Sequence, residues 1–116
     1  MIPYTQTLVG PGGNCLQTAI ECVLESPQGA LPPQEHPVSR YFGPLNQYLA
    51  AHGLVYLEVE PFAVSGWHVL LGNSSRGIRH AAVGYNGWLI WDPHPSRAGL
   101  SDVIRWGALL PSEVAS

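Results

Sequence analysis

The pattern of hydrophobic and polar positions divides the chain into a helical front half and a strand-rich back half. Behind the turn Gly10-Pro11-Gly12-Gly13, apolar side chains recur at helical spacing. Asn14 is the candidate N-cap of this helix. Ser26-Pro27 predicts its end near residue 25, because a residue that precedes proline disfavours the helical region. The apolar face comprises Leu16, Ala19, Ile20, Val23 and Leu24.

A second amphipathic segment follows residues 27–37, which contain four prolines and are predicted to form a loop. Ser39 is the candidate cap of this second helix, and Gly53 is the glycine expected just beyond its end. Its apolar positions are Phe42, Leu45, Tyr48 and Leu49.

From residue 54 the pattern changes to that of strands, predicted at 54–60, 67–71, 79–85 and 88–92. Asn86-Gly87, between the last two, is a strong hairpin signal. Pro93-His94-Pro95-Ser96 ends this ladder, and the segment 101–109 is compatible with a short helix or a strand. Helices followed by antiparallel strands predict one α+β domain over residues 1–116, with the first helix packed on a small sheet.

Composition and charge exclude several classes of function. The chain has 46% hydrophobic and 11% charged residues, against about 25% charged residues in an average soluble protein. Every basic residue is an arginine, so a Schiff-base lysine and a P-loop lysine are both excluded. A net charge of -3 predicts no nucleic-acid partner. With no signal peptide and no apolar run near 20 residues, we expect a cytoplasmic protein without a membrane partner.

Cys15 is the strongest candidate for chemistry, because it stands at the first position of the predicted helix, behind Gly13-Asn14. A helix N-terminus carries about half a positive charge and favours a thiolate. The Cys15 backbone N–H is free to donate to an oxyanion, and Gly13 lets a substrate backbone approach closely. Cys22 has apolar neighbours on the same helix and is expected to fill core space.

A cysteine nucleophile needs a base, and the base needs a group that orients it. His80 opens the strand Ala81–Tyr85, and Asp92 ends the strand that follows. A two-residue turn at Asn86-Gly87 places His80 and Asp92 on opposite faces, whereas a three-residue loop or a bulge places them on the same face. A triad therefore requires the longer loop or a bulge. The other histidines have simpler interpretations: loop residues His36 and His94, helix-end His52, and His68 in a strand.

Three short motifs resemble the papain-like cysteine peptidases, particularly their C39-like group, and small uncharacterised papain-like proteins of bacteriophages. They are Gly13-Asn14-Cys15-Leu16, His80-Ala81-Ala82-Val83 and Trp91-Asp92-Pro93. The resemblance implies a papain-like fold and a Cys15–His80–Asp92 triad that attacks an amide, peptide, ester or thioester bond without a cofactor or metal. It also implies that Gln6 is the second oxyanion donor. For a phage protein, the cytoplasm would be that of the host.

The segment after Asp92 is expected to rim the cleft. His94 and Arg97 are therefore candidate substrate-binding residues, together with Gly13 and Asn14, and Arg97 is a candidate partner for an acidic group. The expected substrate is a peptide or amide, proteins included; the oligomeric state is not predicted.

Two other functions remain open. One is a catalytically silent papain-like module that binds a host partner. The other is a metal site made of Cys15, His80, Asp92 and His94, although no standard ligand spacing supports it.

Overall fold

The computed structural model describes residues 1–112, which form an α+β fold with two α-helices beside a five-stranded antiparallel sheet, as the sequence predicts. Within these residues, neither helix has the length and apolar character that crossing a bilayer requires. The sheet order is β1-β5-β2-β3-β4. The elements are α1 Cys15–Leu24, a 3₁₀ turn Val38–Arg40, α2 Phe42–Ala50, β1 Leu54–Val59, β2 Trp67–Asn73, β3 Arg79–Tyr85, β4 Trp88–Trp91 and β5 Asp102–Pro111.

The main core lies between the two helices and the sheet. α1 packs on β2 and β3, and α2 packs on β1, because each helix carries an apolar stripe at helical spacing. Complete burial of a Leu or Ile side chain contributes about 1.5–3 kcal/mol, so this layer holds α1 firmly against the sheet. The fully buried side chains here include Ile20, Leu45, Leu49, Val69 and Val83.

The ends of the two helices test the predicted caps. α1 ends as predicted, since Leu24 is its last residue and Glu25 adopts a left-handed φ of 57°. The prediction that Ser39 caps α2 is wrong, because Ser39 lies inside the 3₁₀ turn and Tyr41 occupies the N-cap position. That turn starts at Pro37, whose carbonyl accepts from Arg40 N at 2.9 Å, so the chain is already coiled before Ser39.

The segment that the sequence left ambiguous is β5, which is an interior strand of the sheet, between β1 and β2. β5 pairs with β1 on one side and with β2 on the other. Paired on both edges, it buries Trp106 and Ala108 almost completely. Tertiary pairing with two strands distant in sequence therefore decides this element.

The hairpin between β3 and β4 contains the bulge on which the triad depends. Asn86 and Gly87 form a two-residue turn with φ of 49° and 89°, as a type I′ turn requires. Gly84 pairs with Leu89, but Val83 pairs with Trp91, so Ile90 is an extra residue on β4. Continued past Trp91, this register places Asp92 on the same face as His80.

Candidate active site

A cavity of ≈ 450 Å³ opens at the N-terminus of α1, a size typical of sites for small ligands. Cys15 and His80 both line it, which brings the predicted nucleophile and base to one place. The wall on the α1 side includes Gly13, Gln34 and His36. The opposite wall comes from β1, β2, β3 and β5.

His80 and Asp92 form a buried pair behind the cavity. His80 Nε2 lies 2.6 Å from Asp92 Oδ1, and the two side chains are only 3% and 1% exposed. Backbone N–H groups of the following loop hold the carboxylate, His94 N donating to Oδ1 at 2.9 Å and Gly99 N to Oδ2 at 2.7 Å. Because Nε2 is engaged with Asp92, Nδ1 is the His80 ring nitrogen that remains for Cys15.

The electrostatics of the site favour ionised groups. Burial lowers the pKa of His80, but the hydrogen bonds that the ring makes with Asp92 and Cys15, together with the charges of both residues, outweigh burial and raise the pKa to about 9. Burial also opposes ionisation of Asp92, but hydrogen bonds from His80, His94 N and Gly99 N lower its pKa to about 2. At neutral pH the site therefore holds an imidazolium beside Cys15 and a carboxylate behind it.

The backbone N–H of Cys15 is a free donor at the start of α1. Gln34 Oε1 accepts from Leu16 N at 3.0 Å and from Gln17 N at 3.1 Å, so the side chain of a loop residue caps the helix. Thr18 N donates to Asn14 O at 3.0 Å. Among residues 1–112, the Cys15 N–H has no acceptor, which leaves it available for an oxyanion.

A buried polar network ties the proline-rich loop to α1. Gln17 Oε1 accepts from Gln34 N at 3.0 Å, which makes the contact between these two residues reciprocal. Glu21 Oε2 accepts from Gly29 N and Leu31 N at 3.0 and 3.1 Å. Sequence reasoning missed this network, although Gln17 and Glu21 are a polar i, i+4 pair on an otherwise apolar helix.

The residues before Cys15 shape the loop rather than cap the helix. The side chain of Asn14 makes no cap hydrogen bond, so the predicted side-chain cap is wrong. Its Oδ1 accepts from Leu8 N at 3.0 Å and its Nδ2 donates to Thr7 Oγ1 at 2.9 Å. Gly13 lines the cavity as expected, and His36, which the sequence analysis placed only in a loop, donates from Nε2 to Gly13 O at 2.8 Å.

Gln6 is buried behind Gly13 and is not part of the cavity wall. Its Nε2 donates to Leu8 O at 2.8 Å and lies 3.3 Å from the position that a Cβ at residue 13 would take. Its Oε1 is buried and has no hydrogen-bond partner among residues 1–112. One N–H of the Gln6 amide is therefore used internally, and the other is not.

His94 and Arg97 lie outside the cavity wall. The His94 ring stands 6.0 Å from that of His80, and its backbone N–H holds Asp92. Arg97 Nη1 donates to the carbonyls of Asp92, Pro93 and His94, and Nη2 donates to Thr5 Oγ1 at 2.6 Å. The guanidinium is thus committed to holding the loop that carries Asp92, which leaves it few donors for a substrate.

Cys22 and His68 are both buried among side chains of the protein interior and do not line the cavity. Cys22 is fully buried, and burial raises the pKa of its thiol. His68 is also fully buried and stacks on Trp106 at 3.7 Å, and burial lowers its pKa. Its Nε2 accepts from Gly87 N at 3.1 Å, so His68 is a neutral imidazole that packs in the protein interior.

Within residues 1–112, no three His, Cys, Asp or Glu side chains form a group suited to a metal ion, so the metal alternative has no ligand cluster there. Comparison with models of known protein families, with curated proteins and with solved structures gave no significant match.

Proposed function

We propose that this protein is a cysteine-dependent hydrolase or acyltransferase that acts on an amide or peptide bond, or on an ester or thioester. The observation that carries the proposal is the buried His80–Asp92 pair beside Cys15, at the N-terminus of a ten-residue helix. A cavity of ≈ 450 Å³ has room for an amide or a short peptide segment, which a protein substrate could also supply.

The proposed reaction begins with a thiolate at Cys15. The helix N-terminus and the His80 imidazolium both stabilise the thiolate, which attacks the carbonyl carbon and forms a C–S bond. His80 then gives its proton to the leaving amine or alcohol as the bond to carbon breaks. Water or an acceptor amine next attacks the thioester, His80 takes its proton, and the Cys15 thiolate is released with the acyl product.

The oxyanion of each tetrahedral intermediate needs preorganised donors. We assign the Cys15 N–H as the first donor, because it is free at the start of α1. Gln6 is the candidate for the second, because the resemblance gives it this role and, among residues 1–112, only one of its two amide N–H groups is used, by Leu8 O. Since Gln6 is buried outside the cavity wall, this role requires its side chain to turn toward the cavity. Loss of one such donor lowers kcat by about 100-fold or more, so Gln6→Ala tests this assignment once a substrate is found.

We further propose that the arrangement is papain-like. The chain order Cys15, His80, Asp92 supports this, as does the packing of α1 on an antiparallel sheet. The accompanying expectations of a bacteriophage origin and a location in the host cytoplasm rest on the motifs quoted above.

The rate of alkylation of each cysteine against pH tests the proposal. In the wild-type protein, read by peptide mass spectrometry, we expect Cys15 to react rapidly below pH 7 and Cys22 to stay inert. His80→Ala should remove the acidic reactivity of Cys15. His52→Ala is the matched control, because His52 lies just beyond the end of α2, with its ring tilted against that of Tyr48, and does not line the cavity.

A second measurement separates an enzyme from a silent binding module. Incubation with panels of activated esters, thioesters and peptide amides should give a thioester adduct on Cys15, detected by intact mass, and none on Cys15→Ala. Reaction of Cys15 only at alkaline pH, as for an ordinary thiol, would argue for the binding module instead.

A further inference from the structure

The arginines of this chain differ in how many of their donors are already used. The Arg97 guanidinium donates hydrogen bonds to backbone carbonyls and to Thr5, and that of Arg76 donates to Ser96. Arg79 and Arg105 instead line the cavity that contains Cys15. Among residues 1–112, the Arg79 side chain forms no hydrogen bond and no ion pair. Arg79 therefore brings a positive charge to the cavity with no internal partner.

Arg105 reaches the cavity through its position in the register between β5 and β2. Gly72 pairs with Val103 and Leu71 pairs with Arg105, so Ile104 is the extra residue. Directly paired residues share a face of the sheet, so Arg105 lies on the same face as Leu71, which lines the cavity.

The donors of Arg105 are only weakly engaged. Its Nη1 lies 3.3 Å from Glu60 Oε1, and its Nη2 donates to Glu58 O at a long 3.4 Å. Its Nε is buried without a partner among residues 1–112, so the internal contacts of this guanidinium leave a donor unsatisfied. The Glu60 pair is 42% and 76% exposed, and exposed ion pairs contribute little.

Glu58 is the acidic residue of the cavity wall, so the two arginines give the wall an excess of one positive charge before His36 and His80 are counted. A planar guanidinium with free N–H groups matches the two oxygens of a carboxylate, and hydrogen bonds between charged groups are about twice as strong as neutral ones.

We propose that the cavity selects an acyl substrate that carries a carboxylate close enough to the bond attacked by Cys15 for both groups to lie in the same cavity. Arg105 and Arg79 are the specificity-determining residues. This inference rests on the proposed function, because it names the substrate class of the same site.

Two electrophiles that differ only in the distal group test this inference: N-(iodoacetyl)glycine, which ends in a carboxylate, and N-(iodoacetyl)glycinamide, which ends in an amide. In each reaction the Cys15 thiolate displaces iodide from the CH₂ group. We would measure the two rates at pH 9, where an ordinary thiol is ionised without a histidine, and divide their ratio by that of the same probes with 2-mercaptoethanol.

We expect the wild-type protein to prefer the carboxylate probe by about tenfold, the lower end of the range for a hydrogen bond to a charged group. Arg105→Gln should lose most of this preference, and Arg79→Gln should lose part of it. Arg79 is exposed and its side chain forms no hydrogen bond among residues 1–112, so its variant should fold normally. Arg76→Gln removes the same charge outside the cavity wall and should keep the preference.

Equal corrected rates for the two probes would overturn the inference, as would a preference that survives in both cavity variants. The proposed function has a separate readout, the reactivity of Cys15 below pH 7. Failure there, with the arginine-dependent preference intact, would count against the triad and still support a carboxylate-binding cavity.

Discussion

Nε2 of His80 lies 2.6 Å from Oδ1 of Asp92, with both side chains almost completely buried. Asp92 raises the pKa of His80, and His80 lowers that of Asp92, so each residue stabilises the charged form of the other. The pair is held from behind by the backbone of the loop that follows, which fixes the imidazole before any substrate arrives.

The first prediction concerns the charge of Asp92. Asp92→Asn should lower the pKa of His80, because the variant removes the carboxylate that raises it. Each pKa unit by which His80 falls lowers the equilibrium constant for proton transfer from Cys15 to His80 about tenfold, so Cys15 alkylation at pH 6 should slow, by up to about that factor. An NMR titration of the His80 ring and the alkylation rate would be measured together. Asp102→Asn is the control, since Asp102 bonds to Asn73 outside the cavity wall, and an equal loss in both variants would contradict the role of Asp92.

The second prediction is the pH dependence of stability. The pKa of His80 rises from an ordinary 6.5 to about 9, so its contribution is complete below pH 6.5 and is lost as pH rises through 9. The pKa of Asp92 falls from 3.8 to about 2, so its contribution is complete above pH 3.8 and is lost as pH falls through 2. Urea unfolding should therefore show greatest stability between about pH 4 and 6.5. In His80→Gln the free energy of unfolding should decline much less between pH 6.5 and 9. An unchanged decline would mean that groups other than His80 cause it.

The third prediction concerns Gln34, the cap of α1. Gln34→Ala leaves the N–H groups of Leu16 and Gln17 without their acceptor, which should lower the free energy of unfolding by about 1 kcal/mol. Gln34→Glu keeps an acceptor and should retain stability, but its negative charge should slow the alkylation of Cys15 at pH 6. Gln47→Ala, at an exposed position on α2, is the matched control. Equal stabilities for the Gln34 and Gln47 alanine variants would exclude the capping role.

The fourth prediction concerns the bulge in β5. A Cβ at Gly72 would clash with the backbone carbonyl of Asp102, so Gly72→Ala should cost about 3 kcal/mol or more. Gly12→Ala, where a Cβ would meet no atom within 4 Å, should change stability very little. Thermal unfolding of the two variants makes the comparison, and a mild effect at Gly72 would mean that the backbone around the bulge can shift.

The fifth prediction separates two roles for Arg97. Arg97→Lys keeps the charge but loses the planar fork that reaches several carbonyls at once. The variant should lose about 1–2 kcal/mol of stability and keep the ratio of rates between the carboxylate and amide probes. A lost preference with unchanged stability would instead indicate that Arg97 binds substrate.

The parts of the molecule that sequence predicts well are those set by local chemistry. The apolar spacing of α1 and the proline after Ser26 fix a helix that begins at Cys15 and ends at Leu24. The Asn86-Gly87 dipeptide predicts the hairpin, and the parity of His80 and Asp92 shows that the predicted triad requires a longer loop or a bulge, of which the bulge is present.

The remainder depends on contacts between distant residues. Gln34 caps α1 from 18 positions away, so no local pattern at Asn14 reveals that the cap comes from elsewhere. Arg97 looks like a free loop cation in the sequence, yet it reaches Thr5 across 92 positions. β5 is recognised as a central strand only when both of its neighbours are in place.

The extra residue Ile90 has a consequence for how copies of this chain meet one another. β4 is an edge strand with an exposed apolar sequence, Trp88–Ile90, of the kind that recruits a strand from another molecule. A bulge interrupts the regular spacing of N–H and C=O groups and increases the local twist, so a flat partner strand cannot pair along it. The same residue that turns Asp92 toward His80 therefore also protects the open edge of the sheet against edge-to-edge aggregation.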